Sequence, residues 1–265
     1  MTERHQAIAD TMSTVRRLST ELGPTDKLID ALKPVLIDLG TRGDLFPQET
    51  FAVTPGGTMT IYEISCDPDL SLGLYASAGL PGKYQPPHDH RTWSLIAGIR
   101  GAEHNKYFER TTPGGDFDEA KLEPRGELTL RKGVANGMLG DKFHGIEVID
   151  EGPALHLHMY GHTLDSLQGR IFYEKETGGV AKPFMNKPNL HTALVTHDEL
   201  AEMRSDGEPL TICHDAYIDH SSDCDHSDRI VVVADTEPEA HAYAHELRRS
   251  GRLNIAILSG GRSSL

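Results

Sequence analysis

Residues 82–101 read GKYQPPHDHRTWSLIAGIRG, and this stretch sets the expectation for the fold. It places His88 and His90 two positions apart, and residues two apart on a β-strand point to the same face of the sheet. Both imidazoles are then expected in one cavity. A third histidine, His144, can reach the same cavity from another strand. The spacing predicts a three-histidine metal site with open coordination positions, and hence a metalloenzyme.

The composition limits the classes of protein to which the chain can belong. Its 265 residues suffice for one large or two small domains. The formal net charge of −14, without a lysine or arginine cluster, disfavours a nucleic-acid binder, because such a protein neutralises phosphates with a basic face. No apolar run is long enough for a membrane span. The first ten residues, MTERHQAIAD, contain no apolar signal region, so the expected location is the cytoplasm.

The chain changes texture twice along its length. Residues 1–48 carry two runs of apolar residues at helical spacing, separated by Gly23-Pro24, and are expected to form a helical lead-in. Residues 49–182 contain many short segments rich in β-branched and aromatic residues, with glycine and proline turns between them. Such a pattern predicts a mainly β fold, either a sandwich or a barrel. The predicted strands are 59–64, 72–78, 93–99, 103–108, 127–130, 145–149 and 154–160.

Residues 190–265 are expected to form a small α/β segment. A continuous apolar run at 229–234 reads as a buried parallel strand. A helical stretch at 238–250 and a second strand at 254–258 complete a βαβ unit. Residues 215–228 are polar and are expected to form a loop.

The frame around the first two histidines resembles the first motif of the cupin family. Gly82 is followed after five residues by His88, and His90 is followed after three residues by Ser94 and six residues later by Gly101. Cupins usually have glutamate where this chain has Ser94. The resemblance implies a double-stranded β-helix, or jelly-roll, barrel with a neutral three-histidine ligand set. Imidazole binds iron, zinc, copper and nickel alike, so the ligands by themselves do not identify the metal.

Two longer segments resemble the thiol dioxygenases, which include cysteine dioxygenase and 3-mercaptopropionate dioxygenase. They are HDHRTWSLIAGIRGAE at 88–103 and FHGIEVIDEGPALHLHMYG at 143–161, and the likeness covers roughly residues 40–180. The bacterial mercaptopropionate branch is the more similar one. The resemblance implies that His88, His90 and His144 hold Fe(II), and that the protein adds both oxygen atoms of O2 to a small thiol.

The same resemblance implies roles for three residues on one predicted strand face. The family has a serine, a histidine and a tyrosine near the metal, and the aligned residues here are His156, His158 and Tyr160. Tyr160 is expected to steer oxygen, with His158 behind it, while His156 stands in the place of the serine. Some family members crosslink a cysteine to the tyrosine; because Ser94 occupies the aligned position, no crosslink is expected here.

The carboxylate clamp of the family is only partly matched. Cysteine dioxygenases carry an arginine on an early strand, and the corresponding stretch here, Tyr62-Glu63-Ile64, has none. The mercaptopropionate branch uses an arginine shortly after the tyrosine, and Arg170 lies about there. The resemblance therefore implies a mercapto acid or cysteine-like substrate held by Arg170.

The tail resembles the closing strand, helix and strand of a rhodanese-like domain, over IVVVADTEPEAHAYAHELRRSGRLNIAILSGG at 230–261. A working rhodanese has a cysteine where this chain has Ala234. The tail is therefore expected to be a degenerate, non-catalytic segment, with Cys213 or Cys224 as an alternative nucleophile. All three cysteines are widely spaced and form no Cys-x-x-Cys pair, which argues against a disulfide scaffold and a thiolate zinc site.

Three functional hypotheses follow from these patterns. The first is an Fe(II)-dependent dioxygenase that converts a small thiol to its sulfinate with O2. The second is a divergent cupin oxygenase that acts on a different thiol or on a carbon acid. The third is a non-catalytic, metal-binding cupin that senses a ligand. Expected partners are a small thiol and O2, with a homo-oligomer left open and nucleic acid and membrane excluded.

Overall fold

The computed structural model describes residues 3–48, 50–67, 69–164, 166–184, 190–192, 194–205, 207, 210–214, 229–249 and 255–261. Two helices open the chain, α1 (Glu3–Leu22) and α2 (Asp26–Thr41), followed by a single 3₁₀ turn at Gly43–Leu45. Thr25 caps α2, because its hydroxyl oxygen accepts a hydrogen bond from the Leu28 amide at 3.3 Å. None of the described helices is long and apolar enough to cross a membrane.

Two sheets of mostly antiparallel strands form the body of the protein. In spatial order, the first sheet contains β13 (Leu190–Thr192), β1 (Met59–Cys66), β2 (Gly73–Gly79), β9 (Ala154–Tyr160), β4 (Ser94–Arg100) and β7 (Ala135–Met138). The second contains β11 (Gly178–Val180), β6 (Glu119–Leu130), β5 (Glu103–Arg110), β8 (Phe143–Val148), β3 (Tyr84–His88), β10 (Ile171–Phe172) and β12 (Lys182–Pro183). Together they make a nearly closed barrel. The predicted mainly β barrel with N-terminal helices is confirmed.

Alternate residues of strand β9 face the N-terminal helices and the barrel interior. Leu155, Leu157 and Met159 belong to the apolar cluster that packs against α1 and α2. The alternate residues, His156 and His158, point away from that cluster, as the period of two requires. Every residue of β9 is buried, because both faces of this strand are covered.

The expectation that His88 and His90 share one strand is wrong. Strand β3 has the sequence Tyr84-Gln85-Pro86-Pro87-His88, and its two prolines cannot donate to a β-ladder. A bulge between Gln85 and His88 accommodates them. The strand then ends at His88, so His90 lies on the following loop and not on the same strand face. The two imidazoles still converge, because contacts of that loop turn His90 toward the barrel interior.

The C-terminal residues form a separate parallel sheet. Its spatial order is β14 (Leu194–Val195), β17 (Ile255–Leu258), β16 (Arg229–Val233) and β15 (Leu210–His214), with helices α3 (His197–Ser205) and α4 (Glu237–Arg249). The predicted strand–helix–strand unit is β16–α4–β17. Strand β13 comes from the part of the chain that the sequence assigned to the tail, but it pairs in parallel with β1. The expected polar loop at 215–228, with Cys224, lies outside the described residues.

Candidate metal centre

Three histidines meet inside the barrel. One nitrogen atom from each of His88, His90 and His144 lies within 4.8 Å of the others, and each residue is at most 3% exposed. His88 and His144 are directly paired between β3 and β8. The Nε2 atoms of His90 and His144 are 2.9 Å apart. Among the described residues no carboxylate or thiol joins this cluster, so its ligand set is neutral.

Hydrogen bonds fix the orientation of two of the rings. His88 donates from Nδ1 to the carbonyl oxygen of Pro86 at 2.8 Å, which leaves its Nε2 lone pair for a ligand. His144 donates from Nδ1 to Oδ1 of Asn105 at 3.0 Å, and Asn105 in turn donates to Oε1 of Glu103 at 2.9 Å. Partners of this kind set the tautomer and the ring orientation of metal-binding histidines.

Glu103 and Asn105 were missed by the sequence analysis. They lie on β5, where Asn105 is completely buried and Glu103 is 4% exposed. The register pairs Glu103, Asn105 and Tyr107 with alternate residues of β8, so the three share the interior face. Polar residues at every second position of a buried strand are the signal that could have revealed them.

Arg170 contacts the third ring and the loop that carries it. Its Nη2 lies 3.2 Å from Nδ1 of His90, and its Nε donates to the carbonyl oxygen of Asp89 at 3.1 Å. Because a guanidinium has only donors, Nδ1 of His90 is the acceptor, and Nε2 then donates to His144. The guanidinium lies over the Phe184 ring at 4.4 Å, and Phe184 stacks on His88.

The donor set fits a metal cation. Burial lowers the pKa of all three histidines, that of His88 to about 3, so the rings are neutral at neutral pH. The neutral ring is the form that coordinates a metal. A cation between the rings can take the place of the single proton that now joins His90 to His144.

A buried carboxylate holds the loop on which His90 lies. Asp89 accepts a hydrogen bond from the Ile171 amide at 2.8 Å and pairs with Arg91 at 2.8 Å. Arg91 has a φ of 54°, an uncommon backbone conformation for a residue other than glycine. Burial raises the pKa of Asp89 to about 6, against the opposing effects of the Ile171 amide and Arg91. These contacts turn the chain after β3 so that His90 faces the barrel interior.

The relay residues are only partly joined. Nδ1 of His158 lies 3.0 Å from the hydroxyl of Tyr160, and both side chains border the same cavity as the histidine cluster. His156 bonds instead to the carbonyl oxygen of Leu130 at 3.4 Å. No described residue bonds to Nε2 of His158, although that atom is buried. Burial lowers the pKa of His158 to about 3 and raises that of Tyr160 well above its usual value.

One cavity of about 680 Å³ brings these groups together. The three histidines, His158, Tyr160 and Arg170 all line it. Strand β1 contributes the apolar residues Met59 and Ile61 to the lining. Ser94 on β4 is paired with Tyr160 on β9. His156 is not among the residues that line the cavity.

Comparisons with known proteins yield distant structural similarities. No protein-family model matches the chain. An oxalate oxidase in complex with glycolate is 15% identical with a TM-score of 0.33, over 45% of this chain and 57% of that one, so the match spans little more than half of the oxidase. A cupin domain of an XRE family transcriptional regulator from Enterobacter cloacae is 17% identical, with a TM-score of 0.29, over 40% of this chain and 98% of its own. KdgF from Halomonas sp. is 16% identical, with a TM-score of 0.32, over 44% and 88%. These similarities assign no activity.

Proposed function

We propose that the protein is an Fe(II)-dependent dioxygenase that oxidises a small thiol, either a mercapto acid or a cysteine-like compound, to its sulfinate. The observation that carries the proposal is one cavity with three buried neutral imidazoles, a buried tyrosine–histidine pair and a buried arginine. Iron held by three neutral ligands would keep its positive charge, favour the thiolate form of a bound thiol and activate O2. Both atoms of O2 enter the product, so no external reductant is consumed.

Tyr160 is the proton-holding group of the proposed site. Burial raises the pKa of its hydroxyl, so the proton stays on the oxygen at neutral pH. His158 remains neutral because burial lowers its pKa to about 3. If Nδ1 of His158 donates to the phenol oxygen, the Tyr160 proton is free to hydrogen-bond with a reactant in the cavity.

Arg170 is the proposed carboxylate contact. Its Nε bond to Asp89 and its stacking on Phe184 position the guanidinium without using Nη2. If Nε2 of His90 held a cation, the ring proton would lie on Nδ1, and Nδ1 could no longer accept a hydrogen bond from Nη2 of Arg170. The Nη2 group then needs another acceptor, and a substrate carboxylate in the cavity supplies one.

A second candidate is a cupin oxygenase that acts on a different thiol or on a carbon acid. It is favoured by His156, which bonds to Leu130 and leaves Nε2 of His158 with no partner among the residues that the structure describes. A two-member tyrosine–histidine pair suits a different proton demand from that of a three-member relay. The third hypothesis, a metal-binding cupin that only senses a ligand, requires the same histidine cluster. It differs from both oxygenase hypotheses because such a protein would consume no O2.

The C-terminal sheet is proposed to be a non-catalytic rhodanese-like module. Ala234 follows β16, at the position where a working enzyme of that family has its cysteine. Cys213, on β15, packs beside the apolar core of this sheet and does not begin a helix. Neither observation provides a reactive thiolate at a helix N-terminus.

The proposal is tested by O2 uptake. The chain is loaded with Fe(II) under anaerobic conditions, and O2 is added with cysteine, cysteamine, 3-mercaptopropionate or mercaptosuccinate. We expect uptake with a carboxylate thiol, and a sulfinate detected by mass spectrometry. Arg170→Met should raise the KM for that thiol about ten-fold or more relative to cysteamine, because a buried charge-assisted contact is lost. No uptake with any of the four thiols refutes the proposal, while uptake without sulfinate supports the divergent oxygenase.

A further inference from the structure

The cavity with the histidine cluster is electropositive, although the chain is acidic. Acidic residues outnumber lysines and arginines by 40 to 26 over the whole chain. Among the described residues that line this cavity, however, two are cations, Arg170 and Lys83, and none is an aspartate or a glutamate. A lining of this kind favours an anionic ligand.

Backbone hydrogen bonds fix the position of Lys83, which lines the cavity. It follows the turn at Gly82, where φ is 76°, and its amide donates to the carbonyl of Leu80 at 3.0 Å. Its own carbonyl accepts a hydrogen bond from the Val148 amide at 2.9 Å. The Lys83 side chain is half-buried and forms no ion pair with any residue that the structure describes. Its charge therefore has no described partner in the protein.

Arg170 lines the same cavity and contacts His90, a member of the histidine cluster. Lys83 lies five positions before His88, and at about 3.3 Å per strand residue this allows at most roughly 16 Å between their Cα atoms, a span that the bulge between Gln85 and His88 shortens. Lysine has a flexible four-carbon stem, so its ammonium group can lie on the order of 10 Å from the histidine cluster that Arg170 contacts. The lining also includes apolar residues, among them Ile61 and Ile146.

The volume is also larger than a three-carbon mercapto acid needs. At about 680 Å³ the cavity lies within the range of about 300–1,000 Å³ typical of sites for drug-sized ligands. A ligand with one anionic group would leave the Lys83 end unused.

We infer that the natural substrate is an elongated thiol with two anionic groups, one near the thiol for Arg170 and one at the far end for Lys83. Lys83 is thus a specificity-determining residue, because its ammonium group pairs with the distal anion of the substrate. The apolar part of the cavity wall contacts the carbon chain that joins the two anionic groups. This inference deepens the proposed function and rests on it for the thiol. The two-cation cavity itself can be tested without any reaction.

Thiol-free acids provide that test. Isothermal titration calorimetry on the Fe(II)-loaded, anaerobic protein compares the dicarboxylate suberate with the monocarboxylate octanoate, which has the same chain length. Succinate and butyrate form a short pair that cannot reach both cations. We expect suberate to bind about five-fold more tightly than octanoate, because one further charge pair forms at a half-buried site. The short pair should show a smaller preference.

Substitutions identify the cation that causes the preference. In Lys83→Met the ratio of octanoate to suberate dissociation constants should fall to about one, and in Lys83→Arg it should persist. Lys121→Met is the matched control, because Lys121 is exposed and pairs with Glu123 away from the cavity. Equal binding of suberate and octanoate to the unaltered protein overturns the inference, and so does a preference that survives in Lys83→Met. If the protein binds suberate through Lys83 but oxidises no thiol, the proposed function is refuted and the two-cation cavity still stands.

Discussion

The barrel interior and the C-terminal sheet bury their strands in opposite ways. The core of the C-terminal sheet is apolar, with Val231, Val232, Val233, Ile257 and Leu258 all essentially inaccessible. The barrel interior instead buries three histidines, an asparagine and a glutamate. Burying a polar group costs free energy unless it is hydrogen-bonded, so the barrel bears a cost that the sheet avoids. The same chain can clearly form a sheet without polar groups inside it.

The polar groups of the barrel are mostly satisfied by one another. A single hydrogen-bonded series runs from Arg170 through His90, His144 and Asn105 to Glu103. The series offsets part of the desolvation cost, but it does not give the barrel the packing that an apolar core provides. The comparison therefore indicates that these residues serve a ligand, while the core of the C-terminal sheet serves stability.

The largest expected effects come from two substitutions, one in the barrel interior and one in the core of the C-terminal sheet. His144→Ala should abolish metal binding, measured as Fe(II) or Co(II) content after loading and desalting, because two imidazoles leave the ion without its third ligand. Val232→Ala should retain the full metal content and lower the free energy of unfolding by about 2 kcal/mol, because it opens a cavity in an apolar core.

Circular dichroism of both variants at the loading temperature is the control for folding. Full metal content in His144→Ala would mean that the cluster is not the ligand set. Loss of metal in Val232→Ala would mean that the two regions are not independent.

A smaller effect is expected from the residue that orients His144. Asn105→Leu removes the acceptor of the Nδ1 hydrogen bond and should weaken metal affinity about 10–100-fold, measured by competition with a chelator. Asn136→Leu is the matched control, since Asn136 bonds to Tyr107 and not to a histidine of the cluster. Equal affinities in the two variants would reduce Asn105 to a packing residue and weaken the contrast between the regions.

Local patterns predicted much of the fold and the central cluster. The helices follow from apolar residues at helical spacing, and most strands follow from short β-branched segments with turns between them. The histidine spacing identified His88, His90 and His144. These features depend on residues that are near one another in the sequence or on a motif of fixed spacing.

What the sequence did not reveal depends on pairing between distant segments. Asn105 reaches His144 across 39 positions, and that contact exists only because β5 and β8 are neighbours. The turn after His88 depends on the bond between the Asp89 carboxylate and the Ile171 amide, 82 positions away. Lys83 lines the same cavity as Arg170, which is 87 positions away. A single sequence read locally contains none of this information.

The two regions meet at a pair of histidines. His191, on β13, has its ring 5.8 Å from that of Tyr62 on β1 and 4.8 Å from that of His241 on α4. Nδ1 of His191 is buried, and no described residue bonds to it. Burial lowers the pKa of His191 below its ordinary value of about 6.5. One ring of the contact between barrel and tail is therefore harder to protonate in the folded than in the unfolded chain.

The smallest expected effect is the pH dependence of this contact. Because the folded pKa of His191 is lowered, the unfolded chain takes up a proton on acidification before the folded chain does, and stability falls as the pH drops below about 6.5. Between about pH 7.5 and about pH 5.5, His191→Phe should lose less stability in urea unfolding than the unaltered protein. The difference should be under about 1 kcal/mol, because the ring is only half-buried and solvent screens its charge. His104→Phe, at a partly exposed histidine paired with Glu127 on the barrel, is the control. An unchanged pH slope in His191→Phe would show that this ring does not couple protonation to the barrel–tail contact.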